Sequence, residues 1–316
     1  MVTGRGHQAC AERFFYAEGK AFMNIQGFVD LHTHGISKYD TRTGDHEEII
    51  SMARVHAKAG TIAILPTIYS GPITEMRKSL KAIGKAMELQ AKADSRRMGA
   101  QILGVHLEGP FLSPLRCGAL DKTSFLRPTF SALRRLVSGY EDIVKVITLA
   151  PELPGAAKMI EKIADMDIRV NMGHSDATFR QAAEAKKAGA TGITHIFNAM
   201  RPFHHREPGI AGLGLTDQDL YIEVIADSVH LHPKTLELIF NHKRLDKLII
   251  VSDSVKGQRT AKGVIYEQGI LAGSVLTIDN VVKRLQRIGI PDAEIIEAST
   301  DNPLRYIGMA DSVRCR

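Results

Sequence analysis

The 316-residue chain has only three cysteines, Cys10, Cys117 and Cys315. They are scattered and odd in number, and none belongs to a Cys-x-x-Cys pair, which argues against a disulfide framework and against a cysteine metal site. Such usage fits a reducing cytoplasm. No apolar run approaches the length of a membrane span, and the N-terminus lacks the apolar core of a signal peptide. Linkers rich in proline, serine or glutamine are missing, as are short-period repeats. Nor is charge of one sign concentrated anywhere: 41 basic and 35 acidic residues leave a net charge of +6 spread along the chain. That balance mildly favours anionic small molecules and is weak evidence for nucleic acid.

What is present is an ordinary globular composition, 44% hydrophobic and 24% charged, in a chain long enough for one large α/β barrel or two smaller domains. Apolar runs alternate with helical patterns. Strands are predicted at 27–31, 61–65 (ended by Pro66), 102–107, 143–149, 168–173, 191–196, 221–226 and 248–252. Helices are predicted at 45–59, 73–94, 129–138, 154–165, 178–188, 233–241, 277–288 and 291–299. Eight βα units in about 280 residues match a closed (β/α)8 barrel of the TIM type. An open doubly wound sheet would want a glycine-rich phosphate turn after its first strand, and His32-Thr33-His34 stands there instead. Residues 27–308 are assigned to the barrel and 309–316 to a C-terminal tail. Residues 1–26 are read as an N-terminal segment, either docked or the remnant of a small β domain.

In such barrels the reacting groups gather at the carboxyl ends of the strands. The first strand ends at His32 and His34, two residues apart and so on one side. Glu108 ends the third strand, His174 the fifth, His195 the sixth, and Asp227 with His230 the seventh. Asp253 ends the eighth. Any one of these alone reads more simply as a hydrogen-bonded core or loop residue. As a set at one level of the barrel, His32, His34, Glu108, His174 and His195 form a nitrogen- and oxygen-rich donor group suited to one or two divalent metals. Zinc heads the choice, with iron or manganese behind it. A metal there would lower the pKa of bound water from ~15.7 toward ~7. Asp253, on the strand that closes against the first, is placed to take a proton from that water and return it to a leaving group. His106 points the same way but deeper and is read as structural. His7, His46, His56, His232 and His242 are assigned to packing or solvent, and His204 and His205 stay open. The loop 198–209 carries Arg201 and Arg206, which suit a phosphate or oxyanion clamp and equally a solvated basic loop.

Several motifs together resemble the amidohydrolase superfamily and, within it, the N-acetylglucosamine-6-phosphate deacetylase family. They include Phe28-Val29-Asp30-Leu31-His32-Thr33-His34-Gly35, His106-Leu107-Glu108-Gly109-Pro110, Gly173-His174-Ser175-Asp176 and Thr194-His195-Ile196-Phe197-Asn198-Ala199-Met200. Arg206-Glu207-Pro208-Gly209, Ala226-Asp227-Ser228-Val229-His230, Ser252-Asp253-Ser254 and Leu271-Ala272-Gly273-Ser274 complete the order. The resemblance runs from about residue 27 to about 308. It implies a metal-dependent enzyme that removes the N-acetyl group of an amino-sugar phosphate, with Glu108, His174 and His195 on the principal metal and His32 and His34 on a second. It implies Asp253 as general base and then acid, with Asn198, the Ala199 backbone, Arg206 and His230 holding the sugar phosphate. It also implies a homodimer in which Arg206 reaches the neighbouring site. Three departures stand out. Leu120 occupies the place of a histidine expected in a Lys-Gly-Ala-His-like motif, and Ser228 stands where glycine is usual. The small β-sandwich that the family builds from both chain ends is expected to be reduced or missing. Two rival functions follow: an amidohydrolase acting on another amide or a cyclic imide, and a non-catalytic protein that binds metal or sugar phosphate.

Overall fold

The computed structural model describes residues 27–92, 98–258 and 260–310, together with the backbone of a short antiparallel pair, Tyr16–Ala17 with Lys20–Ala21. The rest of the expected N-terminal segment, the end of the tail, and Cys10 and Cys315 lie outside the described residues. Eight parallel strands follow one another around a barrel: β1 (Phe28–Thr33), β2 (Thr61–Tyr69), β3 (Val105–Glu108), β4 (Val144–Leu149), β5 (Arg169–Met172), β6 (Gly192–Ile193), β7 (Tyr221–Ile225) and β8 (Leu248–Val251). Each pairs with its sequence neighbour. The seam between β8 and β1 closes just above the strands, where the Asp253 N–H donates to His32 O at 2.9 Å and the His34 N–H to Ser254 O at 2.7 Å. Below, Asp30 reinforces the seam by accepting from the Ser252 N–H (3.2 Å) and hydroxyl (2.5 Å).

The helices α1 (His46–Lys58), α2 (Ile73–Lys92), α3 (Phe130–Val137), α4 (Ala156–Ala164), α5 (Phe179–Lys187), α6 (Gly209–Thr216), α7 (Pro233–His242) and α8 (Ile278–Arg287) follow the strands in turn. Most are amphipathic, and α1, α3, α5 and α7 each begin at a side-chain cap. Asp45 accepts from the Glu47 N–H at the start of α1, Thr178 and Gln181 form a capping box on α5, and α8 buries Ile278, Val281, Val282 and Leu285 on one face. The outer faces of the strands and these helical stripes make one apolar layer. Inside the barrel a second cluster, including Leu31, Leu65, Val146, Ile225 and Ile249, meets Leu304, Tyr306 and Ile307 of the terminal helical stretch. No helix among the described residues is long and apolar enough to cross a membrane.

Three local expectations are corrected. β2 does not stop at Pro66 but runs to Tyr69. Five residues of β1 (Val29 to Thr33) span four of β2 (Ala63 to Pro66), so Pro66 lies at a bulge, where the lost N–H disrupts little. The strand expected at 191–196 pairs only over Gly192–Ile193, because the chain then turns away through residues of positive φ. Helix α6, Gly209–Thr216, was not anticipated: it is apolar nearly all round and glycine-rich, so it shows no helical period. Its Gly214 is a packing necessity, since a Cβ there would sit 2.7 Å from Ile193 Cδ1 on β6.

His56 of α1 is fully buried against the seam, its Nε2 3.2 Å from Thr33 Oγ1, as expected of a packing histidine. Burial lowers its pKa from 6.5 to about 4. Between those values the unfolded chain binds a proton that the folded one refuses, so stability is complete above pH 6.5 and falls as pH drops toward 4. Urea unfolding at pH 7 and pH 5 is expected to show a His56 contribution of about 2 kcal/mol lost at the lower pH. The His56→Gln variant should lack that part of the pH dependence.

Candidate functional site

The strand ends converge on Glu108. Its Oε1 lies 3.1 Å from His174 Nε2, 3.1 Å from His195 Nε2 and 3.5 Å from His32 Nε2, while its Oε2 lies 3.2 Å from His34 Nε2. All five side chains are nearly inaccessible to solvent. Asp253 completes the ring, with Oδ1 3.5 Å from His32 Nε2 and 3.7 Å from His34 Nε2, and at 14% its side chain is the most exposed of the group. All the residues expected to hold metal, and the expected base, are therefore brought together.

The backbone is held out of its preferred regions to achieve this. His174 (φ 46°), His195 (φ 30°) and Asp253 (φ 46°) all lie immediately beyond strands in the left-handed region, at a cost of about 1–2 kcal/mol each for a side chain with a Cβ. Neighbouring loops offset that cost. The Ser113 N–H binds His174 O (2.9 Å), the Asn198 N–H binds His195 O (3.0 Å), and the Ser274 N–H binds Asp253 O (2.9 Å). This last bond comes from a hairpin that was not anticipated, Val264–Glu267 with Ile270–Ser274. It approaches so closely that a Cβ on Gly273 would meet Val255 Cγ1 at 2.5 Å and Asp253 O at 3.0 Å. The Leu271-Ala272-Gly273-Ser274 motif thus serves to seat Asp253.

The imidazoles are oriented for a cation. His34 Nδ1 lies 3.0 Å from Thr67 O, and His174 Nδ1 lies 3.1 Å from Arg116 O. A carbonyl only accepts, so each Nδ1 carries a proton and each ring turns its Nε2 to the centre. His32 Nδ1 faces Glu223 Oε2 at 3.0 Å, the carboxylate–histidine pairing that orients metal ligands. His32 Nε2 and His34 Nε2 are 3.2 Å apart, close enough to share one cation. The residues present therefore fit a divalent metal. Compatible donor triads are His32, Glu108 and His195, and His32, His34 and Asp253. The electrostatics agree. Burial opposes charge on Glu108, but His174 and His34 hold its carboxyl well below the usual range. Burial likewise opposes charge on His32, yet Glu108 and Glu223 raise its pKa well above the ordinary value, and Glu108 raises that of His174. A field that favours protons on these rings favours a cation among them.

The second ring of partners was largely invisible in the sequence. Glu223 sits in the middle of β7, inside what the sequence presents as an apolar strand. A carboxylate there is buried and requires partners, which are His32 and the Asn171 amide at 2.8 Å. Asn171 in turn bonds the Tyr306 hydroxyl. Asp30, whose pKa burial raises to about 6 against the Ser252 and His32 hydrogen bonds, was likewise not singled out. Glu152 was missed too: it accepts from the Ser175 hydroxyl (2.5 Å) and the Asp176 N–H (2.7 Å) beside His174. Tyr69, at the end of β2, lies flat on His34 (ring centroids 3.7 Å apart, interplanar angle 17°), with the Arg42 guanidinium 4.3 Å from its ring centroid. His106 is the inward structural residue expected, 2.7 Å from Thr148 Oγ1 and held uncharged by burial and by His32.

The expected substrate-binding residues divide. His230 is held by Asp227 (Nδ1 to Oδ2, 2.7 Å), which outweighs burial and raises its pKa. The Asn198 amide donates to His195 O and Ile196 O, and its neighbours Phe197 and Ala199 have φ 73° and 47°. No described group accepts the Ala199 N–H, which leaves it available to an anion. Arg201 is not a free clamp. Its guanidinium is 2.5 Å from Asp176 Oδ2, on a carboxylate that Arg116 also holds at 2.7 Å. Arg206 is exposed on the same loop as His204 and His205 and makes no contact with the cluster among the described residues. The Glu223→Gln substitution is expected to weaken zinc binding by about 10–100-fold with little change in thermal midpoint, as read by competition with a chromophoric chelator.

Residues 25–313 match the amidohydrolase family. The chain is 32% identical over 308 residues to N-acetylglucosamine-6-phosphate deacetylase of Bacillus subtilis, an alignment covering 91% of this chain and 76% of that protein. It is 31% identical to N-acetylgalactosamine-6-phosphate deacetylase of Escherichia coli O157:H7, covering 92% and 80%. Among solved structures, N-acetylglucosamine-6-phosphate deacetylase of Thermotoga maritima superimposes with a TM-score of 0.80 at 30% identity, over 95% of this chain and 86% of that one. That of Mycobacterium smegmatis, a mutant solved in complex with N-acetyl-D-glucosamine-6-phosphate, gives 0.81 at 26% identity, over 93% and 82%. The eight-stranded barrel, the histidine–carboxylate ring and these likenesses place the chain in one class of enzymes, in which a divalent metal is implied: it belongs to the amidohydrolase family.

Proposed function

We propose that this enzyme hydrolyses the N-acetyl group of an N-acetylhexosamine 6-phosphate, N-acetylglucosamine 6-phosphate in the first instance, giving acetate and the amino-sugar phosphate. One observation carries the substrate: relatives matched over about nine-tenths of the chain are named for this deacetylation, one for the galactosamine epimer. The donor set of four imidazoles and one carboxylate suits zinc, with iron or manganese as alternatives, as one or two ions per subunit. When bound, such an ion acidifies water and polarises a carbonyl.

The chain's own residues do the rest. Asp253, the most accessible carboxylate of the ring, takes the proton of the attacking water and delivers it to the departing nitrogen. Its backbone, fixed on both sides by His32 O and the Ser274 N–H, keeps it over His32 and His34. The Ala199 N–H, Asn198 and His230 hold the sugar phosphate. Exposed Arg206 shares its loop with Phe203, which is 53% exposed, and this supports a role at the neighbouring site of a homodimer. Leu120 offers the substrate no hydrogen bond.

Acetate release from N-acetylglucosamine 6-phosphate, its galactosamine epimer and unphosphorylated N-acetylglucosamine tests the assignment. Phosphorylated sugars are expected to be strongly preferred, and release from none of them removes the reading in favour of another amide or a cyclic imide. Asp253→Asn should lower kcat by about 10²–10⁴-fold while the principal metal, on Glu108, His174 and His195, stays bound. Arg206→Ala should raise KM for the phosphorylated sugar about tenfold or more, the loss of one charge-assisted contact.

A further inference from the structure

A carbonyl under attack gathers negative charge on its oxygen, and hydrogen-bond donors aimed there stabilise the transition state more than the ground state. Donors in this mouth are few. The Ala199 N–H, Asn198 and His230 are assigned to the sugar phosphate; the Asn198 amide also donates to His195 O and Ile196 O, and His230 Nδ1 is engaged with Asp227. Leu120 has no polar side-chain atom.

Tyr69 is different. It is the last residue of β2 and pairs in register with Glu108, so both side chains emerge on the same face of the sheet, into the mouth. Its ring is fixed by His34 and by the Arg42 guanidinium, the latter anchored to Asp40 at 3.2 Å. Its hydroxyl makes no hydrogen bond to any described residue, and the side chain is half-buried. Held in place by its ring, that O–H is open to a partner entering the mouth. The phenol feels Asp40 and Arg42 most strongly and, after them, the charges of Asp253 and Glu108. A phenol, with an ordinary pKa near ~10, is a donor at neutral pH.

We infer that the Tyr69 hydroxyl donates a hydrogen bond to the carbonyl oxygen of the scissile amide and is thereby a catalytic residue. This rests on the amide-hydrolysis reading above. The water oxygen bonds to the carbonyl carbon while Asp253 takes the water's proton, and the carbonyl oxygen becomes negative. The C–N bond then breaks, the nitrogen receives the proton from Asp253, and acetate and the amine leave. Tyr69 keeps its proton throughout; its hydrogen bond shortens as the charge builds and relaxes as the carbonyl re-forms. Stacking on His34 ties the donor's position to that of a metal-ligating ring, so both keep station on the same carbonyl.

The test is Tyr69→Phe, which retains the ring between His34 and Arg42 and deletes only the oxygen. Thermal midpoint and bound metal are expected to match the wild type. The kcat for acetate release should fall at least tenfold, with KM within about threefold, in keeping with the cost of losing a carbonyl donor. Binding of N-acetylglucosamine 6-phosphate to the Asp253→Asn protein should be within threefold with and without Tyr69→Phe. A kcat within tenfold of wild type, a rise in KM alone, or a lost metal or lowered midpoint each overturns the inference while leaving the deacetylase reading intact. Failure of the wild type to release acetate from any acetylated amino-sugar phosphate overturns the reading and the inference together.

Discussion

A carboxylate buried among four imidazoles is the constraint on which this site depends. Glu108 is almost inaccessible, and a charge there is tolerable only because His174, His195, His32 and His34 all face it within 3.5 Å. None of these histidines is a neighbour of Glu108 in sequence. Each comes from the end of a different barrel strand or, for His32 and His34, from the two sides of a bulge-bearing strand end. The barrel must close before the carboxylate is satisfied, and closure in turn is what concentrates donors for a divalent cation.

The seam between β8 and β1 couples that closure to the chemistry. The backbone bond that joins them, from the Asp253 N–H to His32 O, links the expected base directly to a residue of the donor ring. Asp30 and Ser252 lock the level below, and Thr33, Ser254 and neutral His56 the level outside. The hairpin after β8 then folds down on Asp253 and fixes its left-handed backbone. Strain at His174, His195 and Asp253 is thus distributed over three loops that also form the mouth, which suits a scaffold whose reactive groups must stay fixed as substrate enters and leaves.

Behind the imidazoles lies a polar layer uncommon for a barrel interior: Glu223, Asn171 and the Tyr306 hydroxyl run as a continuous chain of hydrogen bonds from His32 down to the terminal helical stretch. Every member is buried and each has a partner, so the layer can exist without the penalty of an orphaned group. It makes the packing of the barrel floor and the orientation of His32 parts of one network. Arg116 and Arg201 play a comparable part on the other side, bracing Asp176 and so the loop that carries His174.

The barrel and its ring of ligands are legible in the chain alone, because period, strand count and strand-end chemistry are local signals: a histidine or carboxylate directly after an apolar run can be read from its neighbours. His32, His34, Glu108, His174, His195 and Asp253 stand out for that reason. Whatever depends on contacts between distant segments had to wait for the folded molecule. Glu223 and Asp30 look like interruptions of apolar strands until His32 and Ser252, some 191 and 222 residues away, are placed against them. Helix α6 has no amphipathic period because both its faces are buried, and Pro66 looks like a stop because its bulge exists only in the pairing with β1. Arg201 cannot be told from a free clamp before Asp176 is found beneath it. Tyr69 carries no signal at all: its place on His34 follows from strand register, and register is a property of paired strands rather than of either strand alone.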